Sequence, residues 1–148
     1  MKKLIILFVS FFYLGYAPIV PGTFGSLGGL AIYYFIDDLS PFFFIAIVSV
    51  LFVAGSIAAT KAEEYYGRKD SSEIVIDEVV GMLITLFLIP FSLKNLIVGF
   101  VVFRIMDIIK PFPGRAVERI KGGTGVMLDD VVAGIYGNIL MQVFIRYI

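Results

Sequence analysis

Residues 74–91 read Ile74-Val75-Ile76-Asp77-Glu78-Val79-Val80-Gly81-Met82-Leu83-Ile84-Thr85-Leu86-Phe87-Leu88-Ile89-Pro90-Phe91. A bilayer-spanning helix needs ~20 largely apolar residues, and this stretch meets that apart from two carboxylates near its start. Residues 41–60, Pro41 to Thr60, meet it with no charge at all. Residues 96–109 are apolar but for Arg104 and Asp107; at ~1.5 Å per residue they are short for a ~30 Å core, so this helix is expected to begin near Phe91. Residues 126–148 form the last span, with Asp129 and Asp130 at the front and Arg146 at the back. The composition agrees, with 59% hydrophobic and 16% charged residues and a mean hydropathy of +0.98. A soluble domain is typically ~45–50% apolar and ~25% charged. A soluble chain of this length could not hide that much apolar surface. The expected fold is all-α: an integral membrane helical bundle with about five crossings, forming one domain over residues 1–148.

The N-terminal part is less regular. Lys2-Lys3 precede the apolar run Leu4–Leu14, as in a signal peptide, but no Ala-x-Ala-like cleavage site follows. Instead comes Pro18-Ile19-Val20-Pro21-Gly22-Thr23-Phe24-Gly25-Ser26-Leu27-Gly28-Gly29. Two prolines and four glycines argue against a continuous helix. A broken or re-entrant segment between two half-length helices is expected. Such backbone survives at membrane depth only when buried in protein or lining a polar cavity.

The chain has no His and no Cys. That excludes disulfides, thiolate nucleophiles, Cys-type zinc sites and every His-dependent hydrolase. The twelve basic and twelve acidic residues cancel, but their distribution is polarised. If residues 4–36 cross once, nine bases (Lys2, Lys3, Lys61, Arg68, Lys69, Lys110, Arg115, Arg119, Lys121) share the cytoplasmic side. Asp77-Glu78, Arg104-Asp107-Lys110 and Asp129-Asp130 then all lie at the cytoplasmic ends of their helices, and the opposite half of each span reads as uniformly apolar. The segment Lys61–Asp70 reads as a wet interfacial helix end.

Ionisable residues in spans are costly and mark functional sites by default. Arg104, Asp107 and Lys110 are spaced i, i+3, i+6 and form one helical stripe. It is either an inward ion-pair stripe or an anion clamp in which Asp107 serves a metal or a proton. Asp77-Glu78 and Asp129-Asp130 each open an apolar helix in this reading. A favourable dipole term of ~0.3–1 kcal/mol repays poorly the insertion cost of up to a few kcal/mol per charge. Two closely packed helices with paired acids could share Mg²⁺, Ca²⁺ or Mn²⁺, the cations that oxygen ligands favour. Two glycine-rich segments, at 21–26 and 121–125, precede helical runs and offer backbone amides to an anion.

These motifs resemble the phosphatidylglycerophosphatase A family. The resemblance rests on Ala17–Ser26, Ile76–Met82, Phe103–Pro113 and Gly122–Gly134, in the family's order over nearly the whole chain. It implies an all-helical phosphatase of the bacterial inner membrane, active site toward the cytoplasm, with helices gathered around a central one. The substrate implied is the anionic phospholipid phosphatidylglycerophosphate, cleaved to phosphatidylglycerol and inorganic phosphate with Mg²⁺. Tyr13 stands where the family pattern leads us to expect glycine. The elimination agrees with the resemblance, because a phosphatase without Cys or His must use a metal and carboxylates. Mg²⁺ is expected on some of Asp77, Glu78, Asp129 and Asp130, where it would polarise the phosphoryl oxygens and lower the pKa of a bound water. Thr23, Gly25, Ser26, Arg104 and Lys110 are the expected phosphate-binding residues. Asp77, Asp107, Asp129 and Asp130 are the expected catalytic carboxylates, Asp107 acting as base or as nucleophile. No nucleic-acid partner is expected, and small-residue helix faces would allow a homodimer. The alternative from another class is a small ion-coupled transporter or channel component with carboxylates relaying protons. It calls for acids along a path to both faces and, in many cases, an inverted repeat.

Overall fold

A computed structural model describes residues 1–148, and all its regular elements are helical. In order they are α1 (Lys2–Val9), a 3-10 turn (Leu14–Tyr16), α2 (Pro21–Ile36), α3 (Pro41–Tyr66), α4 (Ile76–Leu86), α5 (Leu93–Ile109), α6 (Gly114–Val117) and α7 (Gly123–Tyr147). The all-helical expectation holds. α3 and α7, of 26 and 25 residues, are long and apolar enough to cross a membrane. Their most apolar stretches are only 22% and 33% buried, unlike the core helices of a water-soluble protein. Val50, Val53 and Ile57 on α3 and Ile139, Leu140 and Val143 on α7 face outward. An apolar surface this extensive suits lipid.

The expected span over 74–91 is corrected. α4 has only 11 residues, roughly 16 Å at ~1.5 Å per residue, too short to cross a bilayer alone. Pro90 accounts for the stop: it disfavours helix at Ile89, and its ring would meet the Leu86 carbonyl of a continued helix. α4 is instead the centre of the bundle. Ile76, Val79, Val80, Met82, Leu83 and Leu86 are fully buried, and α4 packs against α7, α2, α3 and α5. Glycine sets the closest approach. A Cβ on Gly134 of α7 would lie 2.6 Å from the Gly81 carbonyl oxygen, and one on Gly81 would lie 2.8 Å from the Asp130 carbonyl oxygen. Backbones this close, with only hydrogens between them, are how helices gain contact in lipid.

The N-terminal expectation is half right. The chain is broken, but over residues 10–20. The glycine run that was expected to be irregular forms the first half of α2, with Pro21 at its first turn. The glycines act in packing: a Cβ on Gly25 would meet the Val75 side chain at 2.7 Å, and one on Gly29 would meet Met82 at 2.7 Å. α1 stays at one end of the bundle. Its Lys2 ammonium lies 5.2 Å over the Tyr65 ring at the end of α3, and the Val9 carbonyl accepts from the Val75 amide at 2.8 Å. Tyr13 has φ +66°, between Phe12 at +56° and the turn that follows. This is the left-handed region that costs an L-residue ~1–2 kcal/mol and glycine almost nothing, which explains an expected glycine at this position.

The end of α4 away from its carboxylates is not uniformly apolar. α4 stops inside the bundle, so carbonyls at its C-terminus lack helical partners. Side chains from three other helices supply them. Asn138 Nδ2 of α7 donates to the Thr85 and Phe87 carbonyls at 3.1 and 2.7 Å. Asn95 Nδ2 of α5 donates to the Pro90 carbonyl at 2.8 Å. The Tyr33 hydroxyl of α2 donates to the Ile89 carbonyl.

Candidate active site

Four helices bring their polar residues to the other end of α4. Asp77 and Glu78 lie in the first turn of α4. Arg104 and Asp107 lie in the last turns of α5, and Lys110 is the residue that ends it, at φ +52°. Asp129 and Asp130 lie in the second turn of α7, because that helix starts at Gly123. They do not open it, so the dipole benefit, confined to the first turn, is not their explanation. Gly22, at the start of α2, faces the cluster: a Cβ there would lie 2.6 Å from Glu78 Oε1 and 3.0 Å from Arg104 Nη1.

The stripe of Arg104, Asp107 and Lys110 divides. Arg104 Nη1 donates to Asp107 Oδ2 at 2.6 Å, an ion pair within one helix face. Lys110 leaves that face as the helix ends and donates to Asp129 Oδ2 at 2.5 Å and Glu118 Oε2 at 2.6 Å. Burial works to lower the Lys110 pKa, but the hydrogen bonds and charges of Asp129 and Glu118 outweigh it and push it up. Lys110 therefore stays charged across neutral pH.

The remaining carboxylates have no such partners. Asp77 Oδ1, Glu78 Oε2 and Asp130 Oδ2 are buried and take no hydrogen bond. Asp77 and Asp130 are 6% and 2% exposed. Buried polar atoms without partners are rare and costly. Two sets of three carboxylates, Asp77–Glu78–Asp130 and Asp107–Asp129–Asp130, each bring three oxygens within 4.8 Å of one another. An all-oxygen donor set suits a hard divalent cation. The orphaned oxygens fit such an ion, and Arg104 and Lys110 beside them fit an anion.

The expected phosphate-binding residues on α2 lie in different settings. Ser26 is fully buried; its hydroxyl donates to the Gly22 carbonyl at 2.9 Å, and Arg104 Nη1 reaches its Oγ at 3.5 Å. Gly25 is packed on Val75 and the Glu78 Cβ. Thr23 sits partly exposed in the first turn of α2. The second glycine segment packs on α3: the Gly123 amide donates to Thr60 Oγ1 at 2.8 Å.

Beside the site, sharing Lys110 with it, lies a cavity that the sequence does not announce. It has a volume of about 440 Å³ and is lined by Lys69, Asp70, Lys110, Glu118, Arg119 and Val126. Lys69 is more than part of a wet helix end: it ties down the loop after α6 by donating to the Glu118 and Ile120 carbonyls at 2.6 and 3.0 Å. Glu118 pairs with Lys110, and its signal in the sequence is its place as the lone acid in the basic stretch 110–125.

Fold and site together define a class: a helical membrane protein whose buried carboxylates and paired cations suit a phosphate ester. The profile of the family Phosphatidylglycerophosphatase A matches residues 7–145. A Bacteroides thetaiotaomicron protein named as a candidate phosphatidylinositol-3-phosphatase is 41% identical, over 87% of this chain and 86% of its own. Phosphatidylglycerophosphatase A of Escherichia coli is 38% identical over 82% of this chain and 72% of its own. That of Haemophilus influenzae is 37% identical over 82% and 76%. No solved structure matches. The chain belongs to the phosphatidylglycerophosphatase A family and is a phosphoric monoester hydrolase.

Proposed function

We propose that this protein removes the terminal phosphate of phosphatidylglycerophosphate, giving phosphatidylglycerol and inorganic phosphate in a Mg²⁺-dependent reaction. The observation that carries the metal requirement is the set of buried, unpartnered oxygens on Asp77, Glu78 and Asp130, and family membership carries the substrate. Asp77, Glu78 and Asp130, with Asp129 beside them, would hold the cation, which would supply charge neutralisation to the transferring phosphoryl group. Lys110 would exchange one of its two carboxylate partners for a non-bridging oxygen, while Arg104, holding Asp107 through Nη1, would offer Nη2 to another. Gly22 keeps the space beside Glu78 and Arg104 clear, since any side chain there would intrude. Asp107, fixed by Arg104, orients the attacking water or attacks phosphorus itself. The stereochemistry at phosphorus separates the routes: inversion marks direct attack by water, and net retention marks a covalent phosphoryl-Asp107 intermediate.

We place the protein in a bacterial inner membrane with the site toward the cytoplasm. α2, α3, α5 and α7 cross, and α4 descends partway within the bundle. The basic loops on the site's side support this orientation. The acids gather at one end of the bundle and not along a path through it, which favours the phosphatase over an ion-coupled transporter. A phosphoinositide monoester is the second candidate substrate, favoured by the 41%-identical Bacteroides relative.

The test is phosphate release by the purified protein from each lipid, with Mg²⁺ and with chelator. Release from phosphatidylglycerophosphate that stops in chelator and returns with Mg²⁺ is expected. Full activity in chelator overturns the metal requirement, and release from the phosphoinositide alone overturns the substrate.

A further inference from the structure

We propose that the site is a dinuclear centre in which Asp130 bridges two divalent cations, one held with Asp77 and Glu78 and the other with Asp107 and Asp129. This deepens the reading above and rests on it for the phosphate chemistry. Asp130 alone belongs to both three-carboxylate sets. Its position in the second turn of α7 puts it against α4 on one side and the end of α5 on the other. A carboxylate has two oxygens and can serve one ion with each. Oxygens around one small cation, at ~2.1 Å from it, lie ~3–4 Å apart, within the spread seen in each set.

The second line of argument is the unpartnered oxygens. The first set has one on each of its three members, and Asp130 is also a member of the second set. Arg104 and Lys110 each engage only one oxygen, Oδ2, of Asp107 and Asp129. Those contacts fix the two carboxylates and leave the other oxygen of each for a ligand.

Charge decides between one ion and two. Five carboxylates face two cationic side chains, a formal excess of three negative charges before Glu118 is counted. One divalent ion leaves the cluster negative and repels a phosphate dianion. A second ion neutralises or reverses it, even with Glu118 included. Pairs of ions in phosphoryl-transfer sites clamp the attacking and leaving oxygens in this way.

The experiment is Mn²⁺ binding to the full-length protein in detergent, followed by metal analysis and electron paramagnetic resonance. Two Mn²⁺ per chain with an exchange-coupled signal are expected. Glu78→Gln is expected to reduce the count to one and give an uncoupled six-line signal, and Asp130→Asn to abolish the coupling. Saturation at one Mn²⁺, or two without coupling in the wild-type protein, overturns the proposal; the wild-type result stands even if a variant misfolds. Two coupled ions with no phosphate release from either lipid would overturn the function and leave the centre. One ion with full release would overturn the centre alone.

Discussion

The two ends of α4 treat buried polar groups in opposite ways. At its C-terminus the carbonyls of Thr85, Phe87, Ile89 and Pro90 each receive a hydrogen bond from α7, α2 or α5. At its N-terminus Asp77, Glu78 and the neighbouring Asp130 each keep an oxygen with no partner. Away from water an unmet polar group costs several kcal/mol, so the contrast is informative. The fold is able to supply donors where a helix ends early. Where it leaves anionic oxygens unmet, stability has been given up, and a site that awaits a ligand is the physical reason.

The sharpest way to break this comparison is to neutralise the unmet end. Asp130→Asn is expected to lower kcat by about 10³-fold or more while leaving resistance to unfolding unchanged or improved, since a buried charge is removed. A steady-state assay alongside a denaturation curve checks both. Lost stability with retained turnover would make Asp130 structural and end the contrast.

Next in size is the seam between α4 and α7. Gly134→Val puts a side chain into the Gly81 carbonyl and Ile84 and should cost about 1–3 kcal/mol of stability, read by unfolding in mixed micelles. The satisfied end comes third. Asn138→Leu removes the donor to Thr85 and is expected to cost about 1–2 kcal/mol, with turnover per folded molecule within a few-fold of wild type. A large fall in turnover there would erase the distinction between the two ends. The smallest effect is expected at Tyr13. Tyr13→Gly relieves a left-handed residue but loosens the unfolded chain, for a net gain of up to about 1 kcal/mol and no change in kcat.

Much of the site was legible because charge inside an apolar run is rare enough to stand out. Asp77, Glu78, Arg104, Asp107, Lys110, Asp129 and Asp130 do gather at one end of the bundle. The glycines were harder to read. A glycine run in water signals a break, but pressed between helices it signals close packing. Gly25 and Gly29 do the second inside a regular α2. Asn95 and Asn138 are not legible in the sequence, because an uncharged amide in an apolar helix has no partner that spacing reveals; both bond carbonyls of the chain around α4's end.

The sequence by itself determined the membrane class, the all-helical fold, the family and the residues that carry charge. Those follow from hydropathy, residue type and motif order, which are local properties of the chain. Only the tertiary structure decided that α4 is a short central helix, that Lys110 pairs with Asp129 and not with its own stripe, and that Asp130 stands between two carboxylate sets. Those depend on which surfaces meet, and Gly81 and Gly134 set that by how closely they let two backbones approach.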